Sequence, residues 1–212
     1  MVNKIKNIIF DFGGVLFDID YKLTERALSE LIQRPFSFKG VPGLSRTVSQ
    51  YETGKINTET FIWNIQKFCT DEVQGREVMT AWNAMLLSIP KARLEFLISL
   101  KKSYNVYLLS NINEMHAEFA NRYIKKNYSM DDWQTQCFDK VYYSHLIHKR
   151  KPNKSAYNYV IEDAKILPSQ SIFIDDLAAN VTAAKGVGLN AVQHNPTDEI
   201  IDSLESYLMT NT

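Results

Sequence analysis

The chain has 212 residues and a mass of 24.4 kDa, enough for one large domain, or a core of roughly 100–150 residues with an insert, but not for two full catalytic domains. With 45% hydrophobic and 23% charged residues it can fill a sizeable core, which excludes disordered, collagenous and coiled-coil classes. Lys plus Arg and Asp plus Glu balance at 24 each, so no long-range field draws the chain to nucleic acid or acidic lipid.

Near the N-terminus, the run Ile8 to Phe17 follows Lys4 and Lys6 and has the outline of a short secretory core. Asp11 interrupts it, and no small-residue cleavage site follows. No stretch approaches about 18 uninterrupted apolar residues. Cys69 and Cys137 form no CxxC pair, which disfavours a disulfide scaffold or a cysteine-built zinc site. The expectation is a soluble, cytoplasmic protein with no membrane or nucleic-acid partner.

Ile8–Phe10 is a continuous apolar run, the pattern of a strand buried on both faces of a parallel sheet, and it ends at Asp11. Similar runs are Val106–Leu109 ending at Ser110, Val141–Tyr143 ending at Ser144, and Ile172–Ile174 ending at Asp175 and Asp176. Helical spacings alternate with them: Leu94, Leu97 and Ile98; Met115, Phe119 and Tyr123; Ala156, Tyr159 and Val160. The alternation predicts an α/β fold with a doubly wound, Rossmann-like parallel sheet, whose ligands bind beyond the carboxyl ends of the strands.

Residues 18–88 break the alternation. Leu23 to Ile32, Phe61 to Phe68 and Val78 to Leu86 space as helix faces, so this stretch reads as an all-helical cap inserted after the first strand, with residues 1–17 and 89–212 forming the core. Thr58 is the expected N-cap of its second helix, Gly40, Gly43 and Gly54 mark loops, and Pro90 marks the return to the sheet. Trp63 and Trp82 read as cap core, and both cysteines as buried apolar fillers.

The chemistry concentrates at strand ends. In Asp11-Phe12-Gly13-Gly14-Val15 a carboxylate precedes two glycines that let the backbone turn and bring amides close to an anion. A glycine-rich turn with a solvated aspartate gives the same string. Asp175 and Asp176 repel one another unless a cation sits between them, and with Asp11 they offer hard oxygen ligands suited to Mg²⁺; an acidic helix N-cap is the simpler reading of the pair. Ser110-Asn111 and Lys151 add a hydroxyl, an amide and an ammonium that fit phosphoryl oxygens, with Lys151 opening the helix before the fourth strand. Lys151 also ends the basic run His148-Lys149-Arg150-Lys151, too short in a neutral chain to mark a nucleic-acid patch.

In this order, Asp11, Ser110, Lys151 and Asp175-Asp176 resemble the four motifs of the haloacid dehalogenase superfamily of hydrolases. The phrases Asp11-Phe-Gly-Gly-Val, Ser110-Asn-Ile-Asn-Glu-Met-His116, Lys151-Pro-Asn and Ile174-Asp-Asp-Leu-Ala-Ala-Asn180 are most similar to the α-D-glucose-1-phosphate phosphatase-like branch. They also resemble the N-terminal phosphatase domain of soluble epoxide hydrolases. The resemblance implies that Asp11 attacks phosphorus to form an aspartyl-phosphate. It implies Mg²⁺ held by Asp11, the Gly13 carbonyl and Asp176, with Asp175 acting through water. Ser110, Asn111 and Lys151 would hold phosphate oxygens, Lys151 would restrain Asp11 and Asp175, and Asn180 would orient the acidic pair.

One position departs from the pattern. The superfamily's phosphatases place a general acid/base aspartate two residues after the nucleophile, and here Gly13 stands there, leaving space beside phosphorus. Loss of a general acid/base costs about 10²–10⁴ in rate. Either the leaving group departs easily, as from an anomeric or acyl phosphate, or another residue substitutes, with Asp18, Asp20 and His116 as candidates, or the chain is a non-catalytic phospholigand-binding protein. For Asp18 and Asp20 an exposed hinge position, and for His116 a packing role, are the competing readings. Glu52, Gly54 and Lys55 form a cap loop that could face substrate. The leading expectation is an Mg²⁺-dependent phosphatase of a small phosphorylated metabolite, which the resemblance implies is a sugar phosphate, with haloacid dehalogenation ranked lower and the oligomeric state left open.

Overall fold

The computed structural model describes residues 4–38 and 44–210. Gly40 and Gly43 lie outside the described residues. In chain order, β1 (Asn7–Phe10) and β2 (Asp18–Ile19) are followed by α1 (Tyr21–Ile32), α2 (Leu44–Glu52), α3 (Thr58–Gln66), α4 (Gly75–Asn83) and β3 (Leu86–Ser88). Next come α5 (Lys91–Leu100), β4 (Asn105–Ser110), α6 (Glu114–Tyr128), α7 (Trp133–Cys137), β5 (Lys140–Tyr143) and α8 (Ser144–Ile147). The chain ends with α9 (Lys154–Ala164), β6 (Ser171–Asp175), α10 (Ala178–Lys185), β7 (Asn190–Gln193) and α11 (Ile200–Thr210).

Five parallel strands form the sheet in the order β5-β4-β1-β6-β7. Every residue of β1 and β6 is buried, because alternate side chains enter different cores. Ile8, Phe10, Val106, Leu108, Ile172 and Ile174 pack with α5, α6, α7 and α11. Ile9, Tyr107, Leu109 and Phe173 pack with α9 and α10 on the other face. Helices therefore cover both faces, and β1 lies where the connections reverse direction, which opens a crevice at its carboxyl end. The four expected strands are present. The fifth, β7, has only Ala191 and Val192 as an apolar signal between Asn190 and Gln193.

The insert is not helical throughout. β2 and β3 pair antiparallel, with Asp18 opposite Ser88 and Ile19 opposite Leu86, and form the stem of the cap. Leu86, expected on a helix face, lies in this stem. The reason is tertiary: the Met85 amide donates to Thr24 Oγ1 and its carbonyl accepts from Asp20 N–H, which draws the chain out of α4. The cap helices share a core of Leu28, Val48, Tyr51, Phe61, Val78 and Trp82, completed by Met115 from α6. α2 was not among the expected helices, although Leu44, Thr47, Val48 and Tyr51 give it a buried face.

Three local expectations need correction. Asn57, not Thr58, caps α3, its side chain accepting from the Thr60 amide. Trp63 is not core: it is 57% exposed, with the Lys67 ammonium over its ring. Cys137 is buried but Cys69 is partly exposed. Among the described residues, no helix is long and apolar enough to cross a membrane.

Candidate active site

Parallel pairing brings the ends of three strands together. Asp11 follows β1, Ser110 ends β4 and Asp175 ends β6, and the Asp11 amide donates to the Ile174 carbonyl. Lys151 closes the group. Its Nζ lies 2.7 Å from Asp11 Oδ1 and 2.6 Å from Asp175 Oδ2, with the side chain wholly buried. Lys151 does not open α9, which starts at Lys154 after its cap Asn153; it is held by Asn111, whose side chain accepts from the Lys151 amide and donates to its carbonyl. The Asn111 side chain thus fixes the Lys151 backbone through both its polar atoms.

Asp175 is saturated. Its Oδ1 accepts from Leu177 N–H and Asn180 Nδ2, and its Oδ2 from Asn180 and Lys151. Asn180 is itself tied down by Tyr157, whose hydroxyl donates to its carbonyl. By contrast, Asp11 Oδ1 accepts from Lys151 and the Phe12 amide, while its Oδ2, the Ser110 hydroxyl and the Asp176 carboxylate take no hydrogen bond from another described residue. Of these, the Asp11 and Asp176 carboxylates lie side by side.

The loop after β1 is shaped by its glycines. Gly14 has φ +77°, and a β-carbon there would stand 2.9 Å from Asp176 Oδ2, so only glycine lets the backbone pass so close to that carboxylate. At Gly13 the expected open space is not present. Ile19 from the cap stem fills it, with Cδ1 3.0 Å from where a β-carbon would be.

Burial raises the pKa of Asp11 well above the carboxylate range; Lys151 opposes this, and Asp175 and Asp176 add to it. Asp176 is pushed up to about 6 by burial and by Asp175. Burial works against the Lys151 ammonium, but Asp11 and Asp175 outweigh it and raise its pKa. Three carboxylates thus face one ammonium, with ligand atoms of Asp11, Asp175 and Asp176 within 4.8 Å of one another. An all-oxygen, over-charged set in which Asp11 Oδ2 and the Asp176 carboxylate take no hydrogen bond from another described residue fits a hard divalent cation.

The three candidates for a replacement acid/base are engaged elsewhere. Asp18 pairs with Arg93 at 2.7 Å and accepts from Ser88. Asp20 caps α1 by accepting from the Lys22 amide. His116 is buried and stacked on Trp82; its Nε2 donates to the Trp82 carbonyl and its Nδ1 accepts from Asn113. Burial lowers its pKa to about 4.

The cap loop touches the core rather than standing free. Glu52 pairs with Arg150 at 2.9 Å, and His148 Nδ1 donates to the Thr53 carbonyl. Gly54, at φ +65°, lies so close to the His145 carbonyl that a β-carbon would collide with it. Arg150 Nε is buried without a hydrogen bond, and the buried Glu52 Oε2 has its ion pair with Arg150 but no aligned hydrogen bond. Tyr21, Ile19 and Arg150 were not singled out by sequence. Tyr21 and Ile19 carry no motif, and Arg150 was only a member of a basic run.

Residues 5–188 match the family model of haloacid dehalogenase-like hydrolases. The chain belongs to that family. A D-ribitol-5-phosphate phosphatase of Bacteroides thetaiotaomicron is 29% identical over 200 residues, spanning 89% of this chain and 91% of that protein. A haloacid dehalogenase family enzyme of Bacteroides thetaiotaomicron, solved with magnesium and inorganic phosphate, superposes with TM-score 0.79 at 29% identity, over 92% of this chain and 96% of that one. A haloacid dehalogenase-like hydrolase of Porphyromonas gingivalis gives TM-score 0.82 at 27% identity, over 96% and 98%. The α/β fold of this family member is therefore shared along almost its whole length.

Proposed function

We propose that the protein is an Mg²⁺-dependent phosphatase of small phosphorylated sugars or polyols, working through an aspartyl-phosphate on Asp11. The observation that carries this reading is Lys151, locked between Asp11 and Asp175, with Asp176 adding a third carboxylate within 4.8 Å of the other two.

Lys151 and the Phe12 amide hold the Asp11 carboxylate in one orientation. A carboxylate oxygen attacks phosphorus in line, the ester P–O bond breaks, and water later hydrolyses the acyl phosphate, so that one difficult displacement becomes two easier ones. Lys151 and the Ser110 hydroxyl hold non-bridging oxygens. Asn111 acts through Lys151, and Asn180 through Asp175. When bound by Asp11, the Gly13 carbonyl and Asp176, with Asp175 through water, Mg²⁺ supplies charge neutralisation for the phosphoryl group. The likeness to a D-ribitol-5-phosphate phosphatase supports a hydroxylated leaving group.

The glycine at position 13 favours one competing reading, a protein that binds a phosphoryl ligand without turning it over. A panel of alditol, aldose and anomeric phosphates separates the two. Wild type is expected to release phosphate only with Mg²⁺, and Asp11→Asn to release none. Equal release by both proteins overturns the assignment of Asp11, and Mg²⁺-dependent binding without release supports the competing reading.

A further inference from the structure

The chain leaves the core for the cap through β2 and returns through β3, and both crossings are tied to one buried arginine. Arg93 stands in the first turn of α5 with 9% of its side chain exposed. Its guanidinium is shared three ways. Nε and Nη2 donate to the Glu199 carboxylate, just before α11, at 3.0 to 3.2 Å. Nη1 donates to the Leu16 carbonyl at 3.0 Å and to Asp18 Oδ1 in β2 at 2.7 Å. Asp18 accepts from the Ser88 hydroxyl of β3 on its other oxygen, at 3.2 Å, so both strands of the stem connect to the same nitrogen.

From Leu16 the bonding runs back to the proposed nucleophile. The Leu16 and Phe17 amides both donate to the Phe12 carbonyl at 2.8 Å, and the Gly14 amide donates to the Phe17 carbonyl at 2.9 Å, which closes residues 12–17 into one turn. The Phe12 amide donates to Asp11 Oδ1 at 2.7 Å. Arg93 to Leu16, Leu16 to Phe12 and Phe12 to Asp11 thus form a continuous path, from which Asp18 branches at Nη1. The stem meets the same turn a second time where Ile19 abuts Gly13. A planar guanidinium holds its acceptors at fixed mutual angles, and displacing any one of them leaves a buried donor unpaired.

Resting on the phosphatase reading above, we propose that Arg93 is a positioning residue for Asp11, joining the nucleophile loop to the cap stem so that the seat of the stem and the aim of the carboxylate are set together. Arg93 acts through Leu16 and Phe12. Asp18 is its anchor on the cap side and Glu199 its anchor on the core side.

The test is rapid-quench measurement of alcohol release from an alditol 5-phosphate in a single turnover, at saturating Mg²⁺, with melting temperatures recorded alongside. The proteins are wild type, Arg93→Met, Asp18→Ala, their double variant and Glu199→Gln. A misplaced nucleophile is expected to slow Arg93→Met about 10- to 100-fold. Asp18→Ala is slowed less, keeps the wild-type pH profile, and adds nothing to the loss at Arg93 in the double variant. Glu199→Gln melts earlier but releases alcohol at the wild-type rate, because its amide oxygen still accepts from Nε. Asp18 is partly exposed, so if Arg93→Met does not fold, a wild-type rate in Asp18→Ala overturns the assignment. Rates that follow melting temperature whichever partner is removed, or additive losses, overturn the assignment of Arg93 alone. So does an Asp18→Ala pH profile that has lost a limb, which makes Asp18 the acid/base itself. If the wild type releases no alcohol, the phosphatase reading falls with it.

Discussion

The Lys151 ammonium and the Asp175 carboxylate meet at 2.6 Å with neither side chain exposed to solvent. Such a pair is costly to desolvate, and breaking it leaves an uncompensated buried charge. Its value here is placement, since the same ammonium reaches Asp11 at 2.7 Å.

Asp175→Leu and Lys151→Met are each expected to lower unfolding free energy by about 3–5 kcal/mol. The double variant Lys151→Met with Asp175→Leu should recover part of that loss and none of the turnover. Urea denaturation of the four proteins measures the coupling. Strictly additive losses would show that the two charges do not support one another.

Gly14→Ala places a β-carbon against the Asp176 carboxylate at a backbone φ of +77°, which disfavours side-chain-bearing residues. Mg²⁺ affinity should fall at least about tenfold, or roughly 1.4 kcal/mol, as read by titration calorimetry. Unchanged affinity would take Asp176 away from the cation.

His116 gives acid sensitivity of a defined sign. Its pKa is about 4 in the fold and about 6.5 when unfolded, so between these values the unfolded chain binds the extra proton. Its contribution is full above about pH 6.5 and is lost as pH falls toward 4, on the order of 3 kcal/mol in all. His116→Gln should be less stable at pH 7 and show a flatter decline across that window in paired denaturant melts. The site carboxylates titrate in both proteins and cancel in the comparison. Parallel pH curves would mean that His116 does not titrate as its burial requires.

Legibility in the sequence followed the strength of local pattern. β1, β4 and β6 were readable because burial on both faces writes a continuous apolar run that stops on Asp11, Ser110 and Asp175. β7 was not, since an edge strand with Asn190 and Gln193 at its ends needs fewer apolar residues. The β2 and β3 stem is set by main-chain bonds from Met85 to Thr24 and Asp20, which leave no periodic trace. The strand-end residues could be named from type and order. The seating of Asn111 on Lys151 and the pairing of Glu52 with Arg150 depend on contacts distant in sequence.

The contact of Ile19 with Gly13 couples the two positions. An aspartate arriving alone at 13 meets the isoleucine methyl, and trimming position 19 first leaves a void beside a bare backbone. The isoleucine methyl has to give by a few tenths of an ångström before a side chain at 13 is seated. What position 13 can carry is thus tied to the rotamer of a residue in the stem, on a different segment of the chain from the nucleophile loop.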